Sequence, residues 1–137
     1  MCIRDRSNAL PASSGRHRAG IIEGLGRLRD RACVKAIVKA AGEKDRDIRL
    51  AAIHALANIG DAGAIETVKG ALKTDSAYER TQATDCCLLL ARRLAEQEKT
   101  NDAKALYQHL LAACKAPHEQ HVRHAAQEGL KALSKGL

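Results

Sequence analysis

Apolar positions along this chain recur at i, i+3 and i+4, the period of a helix with one buried side, and one phrase returns four times. It reads Arg-x-x-[Ala/Ile]-x-x-x-[Leu/Cys]-x-x-[Leu/Ile], in the copies Arg18/Ile21/Leu25/Leu28, Arg49/Ala52/Leu56/Ile59, Arg80/Ala83/Cys87/Leu90 and Arg123/Ala126/Leu130/Leu133. The four arginines stand 31, 31 and 43 residues apart. A period in this range marks stacked helical units, each too one-sided to bury its stripe without neighbours. No alternating Val/Ile/Thr run bounded by turn residues occurs, so strands are not expected.

Stripes and caps together predict seven helices. Ser13-Ser14-Gly15 opens the first, with Ile21, Ile22, Leu25 and Leu28 inward. Asp30 caps the second, which buries Val34, Ile37, Val38 and Ala41 and ends at Gly42. Asp45 or Asp47 starts the third, whose face is Ile48, Ala52, Ile53, Leu56 and Ile59. Gly60 follows as its left-handed end residue, and Asp61 caps a fourth helix carrying Ala64, Ile65, Val68, Ala71 and Leu72. Asp75 or Ser76 caps the fifth, with Glu79 completing a Ser-x-x-Glu box. That helix runs past Leu94 toward Lys99. Asn101 or Asp102 starts the sixth, and Pro117 suits the first turn of the seventh. The expected architecture is all-α: a solenoid of about three helix pairs (14–41, 45–73 and 76–115) plus a terminal helix, 117–135. The longer third step falls around Arg92–Lys99. Met1 to Arg6 resemble the translation of a sequencing-library adapter, so residues 1–12 are set apart as adapter-derived or disordered, and 13–137 form the repeat domain.

Composition narrows the chemistry. Of its 137 residues none is Trp or Phe, and only Tyr78 and Tyr107 are aromatic, so Ala, Leu, Ile and Val build a tight helical stack. No apolar run approaches the ~18 residues of a membrane span. The five cysteines (Cys2, Cys33, Cys86, Cys87 and Cys114) show no Cys-x-x-Cys or zinc spacing. They read as small buried apolar side chains in a reducing compartment, which implies the cytoplasm. A missing upstream signal peptide would imply the periplasm instead.

The stretch from Asp47 to Ile65, Asp-Ile-Arg-Leu-Ala-Ala-Ile-His-Ala-Leu-Ala-Asn-Ile-Gly-Asp-Ala-Gly-Ala-Ile, resembles a HEAT repeat, and most nearly the short bacterial type called PBS-lyase-like. The family pattern places an Asp three residues before the Arg, where Arg46 stands; Asp47 takes over its capping role. Leu25-Gly26-Arg27-Leu28-Arg29-Asp30 is a fair second match, and Gly-Asp is lost in the later copies. The resemblance, over about residues 16–135, implies an α-solenoid that binds proteins or scaffolds them. It does not imply lyase activity.

Charge is uneven. Residues 1–41 hold nine Lys/Arg against three acids, and residues 42–137 hold fourteen against thirteen, within a total of +7. Arg27, Arg29 and Arg31 crowd one loop, and Lys35 and Lys39 follow on one helix face. With Lys69 and Lys73 on the second helix of the next pair, these are the candidate partner-binding residues, and they favour an acidic protein. The alternatives are electrostatic nucleic-acid binding through the first pair, or a regulatory subunit role in a larger enzyme such as a bilin lyase. The lack of stacking aromatics argues against base readout. It also removes the Trp and Tyr that a HEAT-like alkylpurine DNA glycosylase would use. The one His118-Glu119 pair is fewer than a HEAT-repeat deoxyhypusine hydroxylase needs for its irons. No catalytic constellation, metal or cofactor is expected.

The recurring Arg18, Arg49, Arg80 and Arg123 share one phase, and Asp30, Asp61 and Asp102 sit in the loops within pairs. A structural ladder is expected, each guanidinium bonding a loop Asp or a carbonyl of an adjacent repeat, because the planar fork makes two bonds at once.

Overall fold

The computed structural model describes residues 15–135. The segment 1–12 and the expected cap at Ser13-Ser14 lie outside the described residues. Among the described residues seven α-helices follow in order: α1 (Gly15–Leu28), α2 (Val34–Ala40), α3 (Arg46–Ile59), α4 (Ile65–Gly70), α5 (Ala77–Glu96), α6 (Thr100–Ala113) and α7 (Gln120–Lys135). Short 3-10 turns at Arg31–Cys33, Ala62–Ala64 and Pro117–Glu119 lead into α2, α4 and α7.

Three caps act through their side chains. Asp30 accepts from the Ala32 N–H at 2.9 Å, Asp45 from Asp47 and Ile48, and Ser76 from Glu79. Each satisfies amide donors that the first turn leaves without a helical partner. Gly60 closes α3 at φ 75°, a conformation that costs a side-chain-bearing residue about 1 kcal/mol. Three expected boundaries are corrected. Asp61 stands before the 3-10 turn but makes no side-chain cap bond. Glu79 does not complete the capping box, because its carboxylate is held by Arg49 and Thr74, and the Ser76 N–H donates to the Thr74 hydroxyl instead. Helix α6 begins at Thr100, ahead of both Asn101 and Asp102, while α5 ends at Glu96 and reverses through Glu98 at φ 63°.

The first helices α1, α3, α5 and α7 stack in one row, and α2, α4 and α6 pack against that row. The second helices α2 and α4 are only 7 and 6 residues long, against 14 for α1 and α3. They do not pack closely on one another, which leaves open grooves along their side. Ile22, Leu25, Ile37, Leu56, Ile59, Val68, Leu90, Leu94, Leu106, Leu110 and Val122 are fully buried, each contributing about 1.5–3 kcal/mol of transfer free energy. Leu28 is the exception to the first stripe: it is 51% exposed, since the chain turns away at Arg29 with φ 54°. Small residues set the helix spacing. A Cβ on Gly26 would lie 2.5 Å from the Ala55 Cα, so α1 and α3 touch there backbone to backbone.

Candidate binding surface

The recurring arginines lie near the starts of α1, α3, α5 and α7, beside the turns that join one pair to the next. Arg18 pairs with the Glu43 carboxylate at 2.9 Å. Arg49 donates to the Glu43 and Lys44 carbonyls and to the Glu79 carboxylate. Arg80 reaches the Leu72 carbonyl at 2.9 Å, the Ala113 carbonyl at 2.8 Å and the Glu119 carboxylate at 3.1 Å. Arg123 donates to the carbonyls of Cys114 and Ala116, at 2.8 and 2.9 Å. Most of the carbonyls are those the preceding turn leaves open, with Ala113 contributed by the end of α6, and the carboxylates come from the start of the next pair. This corrects the expected acids. Asp30 is engaged in its cap, and neither Asp61 nor Asp102 accepts a hydrogen bond from an arginine among the described residues. Glu43, Glu79 and Glu119 accept instead, because the arginines lie at the opposite end of the helices from the loops within pairs.

Glu119 is the most enclosed of these acids, its side chain 9% exposed. Burial pushes its carboxyl up, but hydrogen bonds from the Cys114 thiol and the Arg80 guanidinium outweigh this and hold it below the usual value. Hydrogen bonds from Arg49 and Thr74 hold Glu79 low in the same way. The neighbouring thiols are buried. Burial pushes Cys87 and Cys114 up to about 12 and Cys86 higher still, so all three stay protonated and pack as apolar groups. His118 is exposed, 4.0 Å from Glu119, and the described residues contain no cluster of metal-ligating side chains.

The candidate partner-binding cations are placed differently. Lys35 and Lys39 on α2, and Lys73 just after α4, are exposed and form no ion pair among the described residues. Lys69 sits 3.5 Å from Glu66, one turn away on the same helix. Arg27 and Arg29 are exposed, but Arg31 is tied down: it donates to the Gln97 side chain at 2.7 Å, and Gln97 donates in turn to the Gly60 carbonyl at 2.8 Å. Among the described residues the expected loop cluster is therefore two arginines without an ion pair and one engaged one.

Two grooves open beside the second helices. The first, about 370 Å³, lies between the end of α2 and α4 and is lined by Ala41, Leu50, Ile53, Gly70, Ala71 and Lys73 among others. The second, about 560 Å³, lies between α4 and α6 and holds Lys69, Lys73, Asp75, Arg80 and His109. Burial, together with the charges of Lys69 and Lys73, holds the His109 imidazole below its ordinary value, against an opposing pull from Glu66.

Residues 3–86 match the family model of HEAT repeats. The chain belongs to the HEAT-repeat family. The match covers α1 to α4 and the first half of α5, and thus the Arg18–Glu43 and Arg49–Glu79 rungs. A search of curated proteins finds no match. HEAT repeats commonly serve as protein-interaction scaffolds, and among the described residues no helix is long and apolar enough to cross a membrane. Glu43 and Glu119 hold arginine rungs that the repeat phase does not reveal; only tracing acids near the start of each pair would have found them.

Proposed function

We propose that this chain is a non-enzymatic HEAT-repeat scaffold that binds acidic protein surfaces along its second helices. Lys35, Lys39, Lys69 and Lys73 form the working row, with Arg27 and Arg29 at its edge. The observation that carries this reading is the contrast between the two sets of cations. Every arginine of the repeat phase is engaged inside the molecule, while Lys35, Lys39 and Lys73 face solvent with no carboxylate partner among the described residues. Unpaired cations on one side steer an acidic partner and fix its orientation. The grooves beside α4 add apolar surface that electrostatics alone would not need.

The test is a pull-down with the full chain from lysate, against a variant reversed to Glu at Arg27, Arg29, Lys35, Lys39 and Lys73. The expected result is a protein retained by the wild type and lost from the variant. Retention that is indifferent to the reversal, or retention of nuclease-sensitive material alone, would overturn the proposal.

A further inference from the structure

The two grooves share Lys73 and Thr74 and meet at the end of α4. Both linings mix apolar and charged residues, in different arrangements. The first groove sets Leu50, Ile53, Ala41 and Ala71 beside the Arg49–Glu79 ion pair, and Gly70 at its edge leaves open space where any other residue would place a side chain: a Cβ there meets nothing within 4 Å. The second groove gathers Lys69, Lys73 and His109, with Asp75 as the acid among its lining residues.

The ends of α4 and α6 should make this second groove unfavourable to an anion, since helix C-termini present negative carbonyls. Arg80 removes much of that obstacle by taking the Leu72 and Ala113 carbonyls as acceptors. Its own charge is matched by Glu119, so it prepares the groove rather than binding there. The ammonium of Lys73 and the imidazole of His109 remain as donors, with Lys69 held only loosely by the exposed Glu66.

We propose that the two grooves form one site for an extended segment of a protein partner, an apolar side chain seated between α2 and α4 and a neighbouring carboxylate on Lys73, Lys69 and His109. This rests on the scaffold reading and makes it specific: the partner offers a short apolar-acidic motif, not a diffuse negative surface. Apolar seating supplies affinity, and the carboxylate supplies orientation. The site also responds to acidity. The charged groups facing His109 are Glu66 and Lys69 from α4, Lys73 and Asp75 from the loop after it, and Arg80 from α5. A bound carboxylate favours the protonated imidazole, so affinity rises as pH falls from 8 to 5.5, where a ligand carboxylate is still ionised.

The probe is a fluorescein-labelled, end-capped peptide containing Leu-Asp-Glu-Leu, titrated with the full chain by fluorescence anisotropy. Two control peptides replace both Leu by Ser, or the acids by Asn and Gln. Binding at least tenfold tighter than either control is expected. Gly70→Leu, which places a side chain in the open mouth where a Cβ meets nothing within 4 Å, should weaken binding at least tenfold with no fall in Tm. Lys73→Glu should do the same, and His109→Gln should abolish the rise at low pH. Equal binding of either control peptide, or an unchanged affinity in Gly70→Leu, overturns the site. The lysate pull-down separates the two readings. A protein captured equally by wild type and Gly70→Leu overturns the groove and leaves the scaffold standing, whereas no capture by wild type overturns both.

Discussion

The arginines at the turns between pairs and the lysines on the second helices carry the same charge and meet opposite surroundings. Each arginine enters from the first turns of a long helix, and for Arg49, Arg80 and Arg123 the carbonyls of the preceding turn lie open there. A glutamate at the start of the next pair is also within reach for three of the four. The guanidinium fork satisfies two or three acceptors at once, as at Arg80. The lysines project from or just after helices too short to pack on their counterparts, and among the described residues none of them forms an ion pair with an acid of the next repeat. Position in the repeat, more than residue charge, separates a group that holds the stack together from one left for a partner.

The strongest way to break this comparison is Arg80→Ala. It leaves Glu119 nearly buried without its counter-ion and frees two carbonyls, and should cost about 3 kcal/mol in urea or thermal unfolding. A loss below about 1 kcal/mol would place Arg80 with the lysines. Acid is the next probe. Because Glu79 and Glu119 titrate below their unfolded value of about 4.5, their contribution is fully present above that pH. It is lost as pH falls through their lower folded values. Tm should therefore drop between pH 5 and pH 3, and less steeply in Glu119→Gln, which removes one of the two carboxyls.

A double-mutant cycle on Arg49 and Glu79 sharpens the picture further. Arg49 is partly exposed, so a coupling of about 0.5–1 kcal/mol is expected, and the same cycle on Arg49 and Asp61 should give none. The smallest effect belongs to the lysine row: Lys39→Ala and Lys73→Ala should each change stability by less than about 0.5 kcal/mol. A larger loss for either would mean that the lysines, too, hold the stack.

Much of the fold was legible in the chain. The period-3.6 stripes placed the seven helices of the described residues, and Gly60 and Asp45 marked their ends through backbone and capping needs that are local. The rung partners were not legible, because they depend on which turn of one repeat faces which turn of the next. Glu43 lies in a loop, Glu79 mimics a capping-box residue, and Glu119 sits beside a histidine in a 3-10 turn, so no common phase announces them. Leu28 shows the complementary failure: its spacing fits the stripe, but a left-handed residue just after it carries the chain outward before it can be covered. The cationic grooves were half legible. Lys69 and Lys73 stood out by charge and phase, whereas His109 comes from α6, 36 residues after Lys73, and joins them only through the stacking of the pairs.

The contact of Gln97 with both Arg31 and Gly60 has a mechanical meaning. A solenoid whose repeats touch only their neighbours flexes like a spring, opening along whichever border is unlaced. Here the arginine rungs stitch one border, and a single amide side chain stitches the other, joining the loops of three successive pairs. Bending must then shear hydrogen bonds on both borders at once. The stretch from α1 to α5 should respond to load as a beam, presenting its lysines at fixed spacing.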